Sequence, residues 1–362
     1  MINNKPAKKK LKKLEAVRGF AAVYIVLHHL FIARFIIAGK DFSVLFRFGQ
    51  EAVILFFLLS GFVIQYAFAL SADKSFNTFF SKRFLRIYIP LICVFIANYS
   101  LNAIQSGAFL PIDFHSLAGT LFMLQDTTSF LKPRVITNPF LGNTPLWSLS
   151  YEWWFYMVFF VIIAKVHKRP SIVVYTIGMI SAITYVIYPN FINNELMYLV
   201  IWWVGADMAK LYLQKQEINL RSLFIPLMAL TGVILILIIN VMVHDHHVPS
   251  GVYPFLELRH FAFALATVVV AVIWKKINWL GFNSTIGLFE HIAPISFGIY
   301  ISHWFLISNA SYLNGVIPNL ALRICCYILI CVLFAYIVER IIYVRLNKWL
   351  LIKFIGNKQK TN

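Results

Sequence analysis

Arg18 and His29 stand inside the first apolar stretch of the chain, which runs from Leu14 to Leu30. A cation and an imidazole are costly in a membrane-length segment and are retained there for binding or proton work. They lie eleven positions apart. At about 100° per residue that is close to three turns, so both side chains share one helix face, about 16 Å apart along the axis. The spacing predicts a charge near one membrane face and a base near mid-bilayer. Such a site takes a polar reagent from one side and reacts with it deep in the bilayer. A neutral imidazole suits a general base near neutral pH. His28 points about 100° away and reads as structural.

Other groups can join them. Arg83 and Arg86 lie three residues apart, so they share a helix face. They read either as membrane anchors, as Lys82 does, or, with Arg18 at the same level, as a phosphate clamp, because guanidinium grips phosphate oxygens in a fork. Ser60 and Gly61 in Phe56-Phe-Leu-Leu-Ser-Gly allow close helix approach, and the Ser60 hydroxyl is within reach of a bond to His29. Trp147-Ser-Leu-Ser-Tyr-Glu152 opens a span near the outer face. There Glu152 needs a partner, and the aromatic rings, Trp147 foremost, can stack on sugar faces. His303 is a second intramembrane imidazole, open to either packing or function. Asp207 and Glu339 lie near cytoplasmic span ends, where snorkelling accounts for them.

These groups need a membrane scaffold. Of 362 residues, 60% are hydrophobic and only 13% charged, about half the charge of a soluble domain. The pattern predicts an all-α polytopic protein with about ten spans, at 16–37, 52–71, 84–106, 146–166, 171–189, 195–213, 223–243, 258–275, 292–309 and 320–343. The stretch 116–125 is too short to cross and reads as re-entrant or interfacial.

The formal charge of +18 is distributed as membrane anchors are. Lys8, Lys12, Lys82, Arg83, Lys168, Lys210, Lys275 and Arg345 fall on one set of connections, and the other set is poor in Lys and Arg. Both termini are therefore expected in the cytoplasm, and nucleic-acid binding is excluded. The divisions are a basic tail at 1–13, a transmembrane domain at 14–345 and a basic tail at 346–362. The first stretch reads as a retained span rather than a signal peptide. Cys93, Cys325, Cys326 and Cys331 read as core hydrophobes. His244, Asp245, His246 and His247 form a solvated outer loop that makes a weak metal site, so no metal is expected. The outer stretch 107–145, with four prolines, reads as an ordered loop. No internal repeat is visible.

In this order the motifs resemble those of the acyltransferase-3 family of bacterial membrane O-acyltransferases. The resemblance covers nearly the whole chain. It rests on Arg18 with His29, Phe56 to Gly61, Arg83-Phe-Leu-Arg-Ile-Tyr88, Trp147 to Glu152 with Phe155-Tyr156, and Ser296 to His303. It implies acetyl-CoA as the acyl donor, entering from the cytoplasm, with no permanently bound cofactor. The acceptor it implies is a hydroxyl of a lipid-linked or cell-surface polysaccharide such as O-antigen, capsule or exopolysaccharide. His29 then matches the catalytic histidine, Arg18 its partner, and Arg83 and Arg86 the basic positions for the CoA phosphates. Glu152 matches the acid of the Trp-Ser-Leu motif. Tyr151-Glu-Trp-Trp154 replaces a commoner Val-Glu-Glu-Gln, so a second adjacent acid is lost.

Some family members carry an extracytoplasmic esterase-like domain after the last span. Here the sequence ends soon after it, so direct acylation or hand-off to a separate protein is expected. The expected function is an O-acetyltransferase of cell-surface glycan in the bacterial inner membrane. Its catalytic groups are His29, Arg18 and Glu152, and Arg18, Arg83 and Arg86 bind the donor. Trp147, Ser148, Tyr156 and His303 face the acceptor. The alternative is a transporter of a small polar or acylated metabolite, with the buried His, Arg and Glu as a proton relay.

Overall fold

Long apolar runs leave backbone N–H and C=O groups no partner in a bilayer except one another, so the chain folds as helices. The computed structural model describes residues 11–33, 35–244 and 247–355. Among them nine helical segments are long and apolar enough to span a membrane. They contain α1 (Lys12–Phe31), α2 (Gly49–Ala69), α3 (Phe76–Ser106), α5 (Trp147–Lys165), α6 (Pro170–Ile187), α7 (Phe191–Leu213), α8 (Phe224–Val243), α9 (Phe255–Lys276) and α11 (Leu320–Tyr336). A short helix, α4 (Phe114–Leu121), lies in the outer loop. The expected ninth span is a shorter apolar helix, Ala293–Ser308, with α10 (Ser296–His303) at its centre and a π-helical turn at Trp304–Ser308.

Three edges differ most from the sequence pattern. α3 begins at Phe76, eight residues before the expected edge at 84, so Arg83 and Arg86 lie inside it rather than at its opening. The other two belong to α1 and the last helix. α1 stops at Phe31, six residues before the expected edge at 37. The chain then turns through Ala38 and Gly39, both at positive φ, between the paired strands β1 (Ile36–Ile37) and β2 (Lys40–Asp41). His29 therefore sits in the last turn of α1 rather than mid-helix. At the other end α11 continues through a second π-helical segment, Ile337–Ile342, into α12 (Tyr343–Ile355). The helix thus runs into the region expected as a tail.

Some of the Lys/Arg-rich connections touch neighbouring segments. The Lys13 ammonium lies 5.1 Å from the centre of the Phe282 ring, and Lys275 donates to the Ile218 carbonyl at 3.4 Å. At the centre α2 packs on α7 with almost no side chain between them. A Cβ added to Gly61 would fall 1.8 Å from the Trp202 carbonyl oxygen, and one added to Gly205 would fall 2.0 Å from that of Leu58. Small residues permit this approach, and hydrogen bonding and close packing reward it where lipid supplies no hydrophobic drive. Of the four cysteines, Cys331 is buried and Cys325 is exposed, so the core reading holds for only part of the set.

Candidate active site

The inner part of the site is built on the first third of α1 and of α3. Arg18 donates through Nη2 to the Ala293 carbonyl at 3.0 Å, and its Nε is buried without a partner. It lies within electrostatic range of Arg86, Glu15, Glu339 and Glu152. The Arg83 guanidinium lies 5.8 Å from the centre of the Tyr156 ring, and its Nε is also buried and unpartnered. Arg86 forms a close ion pair with Glu339 and sits 5.0 Å from the rings of both Phe297 and Tyr343. Arg18 and Arg83 each lie within electrostatic range of Arg86.

Glu339 does not snorkel. It is 3% exposed, comes from the π-helical segment and neutralises Arg86. Asp207 is also partnered, accepting from Ser171 at 2.6 Å, Tyr175 at 2.7 Å and Lys210 at 2.9 Å. Sequence pattern missed these pairs because their partners lie on other helices or a turn away.

In the middle of the bundle Glu152 accepts a hydrogen bond from Ser60 at 2.9 Å and a shorter one from Tyr156. Trp202 on α7 donates to the Ser60 oxygen at 3.2 Å. Ser60 is thus bonded to Glu152 rather than to His29. The Gly61 contact with α7 brings Ser60 and Trp202 within reach.

The imidazoles meet one level further out. The ring of His29 stacks on that of His303, with centroids 5.2 Å apart, and meets the edge of Trp304 at 5.1 Å. His303 is fully buried. Its Nδ1 bonds the Tyr300 carbonyl at 2.6 Å, while its Nε2 has no partner. Ser148 bonds the Tyr300 hydroxyl at 2.7 Å, and that hydroxyl donates to the Pro145 carbonyl at 2.6 Å. His28 has its ring nitrogen on the Phe46 carbonyl, as its position on the other helix face predicts.

Trp147 lies apart from this line. Its ring stacks 6.3 Å from that of His260 and lies 5.2 Å from the Lys132 ammonium. It belongs to an outer cluster that the sequence did not reveal. Lys132, from the outer loop, inserts among the rings of Trp147, Tyr151 and Tyr198 and is 3% exposed. It donates to Tyr151 at 2.9 Å, and Tyr151 donates to Asp126 at 2.9 Å. Buried Glu195, Glu257 and His260 line the same region, with Glu257 accepting from Tyr185 at 2.8 Å and His260 bonded to Tyr198 at 2.6 Å. The signal was present: Glu195 lies within an expected span, and Glu257 immediately precedes one. Lys132 read only as loop charge because its cage forms from three distant rings.

The outer loop is ordered. Asn143 donates to the Ile301 carbonyl and Gln125 to that of Leu146, each at 2.9 Å. Hydrogen bonds from Ser116 and His115 hold the Asp113 carboxyl below the usual carboxylate range. Of the outer histidine loop, Asp245 and His246 lie outside the described residues. His244 bonds Asn240 at 2.9 Å and Tyr253 at 3.1 Å.

Residues 11–340 match the family profile described as an acyltransferase domain. The chain belongs to the acyltransferase-3 family. The match takes in all three arginines, both stacked imidazoles and Glu152, and the family is membrane-embedded, as the apolar helices of this chain require. Acyltransferase MdmB of Streptomyces mycarofaciens is 33% identical over 168 residues, covering 44% of this chain and 41% of its own length. The matched region thus spans about two-fifths of that relative. No solved structure matches the chain.

Proposed function

We propose that this acyltransferase-3 protein is an O-acetyltransferase of the bacterial inner membrane. It moves acetyl from cytoplasmic acetyl-CoA to a sugar hydroxyl of a lipid-linked or cell-surface polysaccharide. The observation that carries this reading is the line of groups across the bundle: Arg18, Arg83 and Arg86 inside, Glu152 in the middle, and His29 with His303 beyond. Arg18 and Arg83 each keep a buried nitrogen free, which suits them to the fork geometry of phosphate. Arg18 and His29 are about 16 Å apart along α1, a separation the extended pantetheine arm of coenzyme A bridges. The thioester then arrives beside an imidazole that either takes the acceptor proton or briefly carries the acetyl group.

Glu152 and Tyr156 join the phosphate end to the acyl end. On the outer side a polar cavity of about 190 Å³, lined by Asp113, His115, Thr137 and Asn138, offers hydroxyl-binding groups to a glycan. The test is purified protein in detergent or liposomes with radiolabelled acetyl-CoA, wild type beside His29→Ala. CoA release that depends on His29 supports the reading. No binding or release of CoA, even with crude surface glycan added, overturns it in favour of another donor or of transport.

A further inference from the structure

His303 differs from His29 in how the helix holds it. A carbonyl oxygen only accepts, so the 2.6 Å bond to Tyr300 requires the proton of His303 on Nδ1. The lone pair is then on Nε2, which is buried and has no protein partner. One nitrogen is pinned and the other is an open acceptor, the arrangement that orients a general base. Tyr300 is itself fixed, through its hydroxyl, to Ser148 and Pro145 of the outer loop and α5.

His303 also ends the α-helical part of its span, with the π-helical turn beginning at Trp304. Such turns recur at functional sites because they cost helix geometry. By contrast, no hydrogen bond holds the His29 ring among the described residues. It rests on the rings of His303, Trp304 and His28 alone. The planes of His29 and His303 differ by only 29°.

We propose that the two imidazoles divide the reaction, with His29 carrying the acyl group and His303 serving as the base for the acceptor hydroxyl. This rests on the acyltransferase reading above. In the first step a His29 nitrogen attacks the thioester carbonyl. The C–S bond breaks, and CoA departs as a thiolate that takes up the proton lost from the His29 ring. In the second step the acceptor oxygen attacks the acyl-imidazole carbonyl and its proton passes to His303 Nε2. The C–N bond breaks, and the released His29 recovers the proton from His303. The sum is one ester and one thiol from one thioester and one alcohol.

The experiment compares wild type, His29→Ala and His303→Gln as full-length protein in liposomes with radiolabelled acetyl-CoA, first without acceptor and then with surface glycan. His303→Gln is expected to release one equivalent of CoA in a burst and to hold label on the protein. The label should be removed by hydroxylamine, and transfer to glycan should fall about 10²- to 10⁴-fold. His29→Ala is expected to give neither burst nor label. In His303→Ala, added imidazole restores part of the transfer, a rescue that a packing role would not give. The division of labour is overturned if His303→Gln transfers at the wild-type rate. It is equally overturned if burst and transfer are lost together while size-exclusion shows wild-type folding. If wild-type protein itself releases no CoA, the acyltransferase reading fails and this assignment fails with it.

Discussion

The stacked pair His29–His303 and the Lys132 cluster both bury ionisable groups in the outer part of one bundle, yet the groups are enclosed differently. The Lys132 ammonium has its hydroxyl and carboxylate partners and three aromatic faces around it. It fastens the outer loop to α5 and α7, and nothing about it is left to react. His303 keeps one nitrogen empty, and among the described residues His29 is held by ring contacts alone. Buried charge by itself therefore does not mark chemistry in this protein. Nor does an unused valence alone mark it, since His260 Nε2 and one oxygen of Glu257 in the Lys132 cluster are also buried without a partner. What sets the imidazole pair apart is that His29 shares α1 with Arg18.

The sharpest way to break this comparison is to remove one group from each region. Lys132→Met leaves Asp126 and the cluster carboxylates without their cation, and removing one partner of a buried pair costs about 3–5 kcal/mol. A large fall in melting temperature is expected, in contrast to His29→Ala, which should abolish CoA release at a near-wild-type melting temperature. A stable Lys132→Met protein, or an unfolded His29→Ala protein, would reverse the assignments. Next in size, Gly61→Ala pushes a methyl group into the Trp202 carbonyl. Overpacking of this kind costs about 1–3 kcal/mol, and thermal unfolding in detergent should show it together with weakened transfer as Ser60 moves from Glu152.

Smaller effects sharpen the inner half of the line. Ser60→Ala removes one hydrogen bond from Glu152, worth about 0.5–1.5 kcal/mol net, and should lower the transfer rate with little change in acetyl-CoA affinity. The smallest effect lies in the outer loop. Asp113 caps α4, and its carboxyl is held below its ordinary range by Ser116 and His115. That stabilisation is present above the ordinary carboxylate pKa and is lost as pH falls through the lower folded value. Melting temperature should therefore drop with acidification in the wild type, and by slightly less in Asp113→Asn.

Much of the membrane architecture was legible in the sequence. Charge alternation and span-length apolar runs gave an all-helical polytopic protein, because an unpaired backbone or an unanchored lysine is so costly in lipid that the sequence has to declare both. The arginine spacing and the position of His29 relative to Arg18 were legible for a similar reason: a helix converts separation along the chain into a face. The ends of α1 and of the last helix were less legible, since an apolar run does not show where a hairpin or a π-helical turn interrupts it.

Sequence alone thus determined the fold class, the family resemblance and the set of polar groups placed in apolar surroundings. Only the tertiary structure decided the partners. It gave Ser60 to Glu152 and Glu339 to Arg86, laid His303 against His29, and enclosed Lys132 in rings from α5 and α7. The physical reason is that spacing along one helix fixes which way a side chain points, whereas its partner depends on which other helix packs there and at what height. That height is set by contacts such as the backbone approach at Gly61 and Gly205, which read locally as two ordinary glycines.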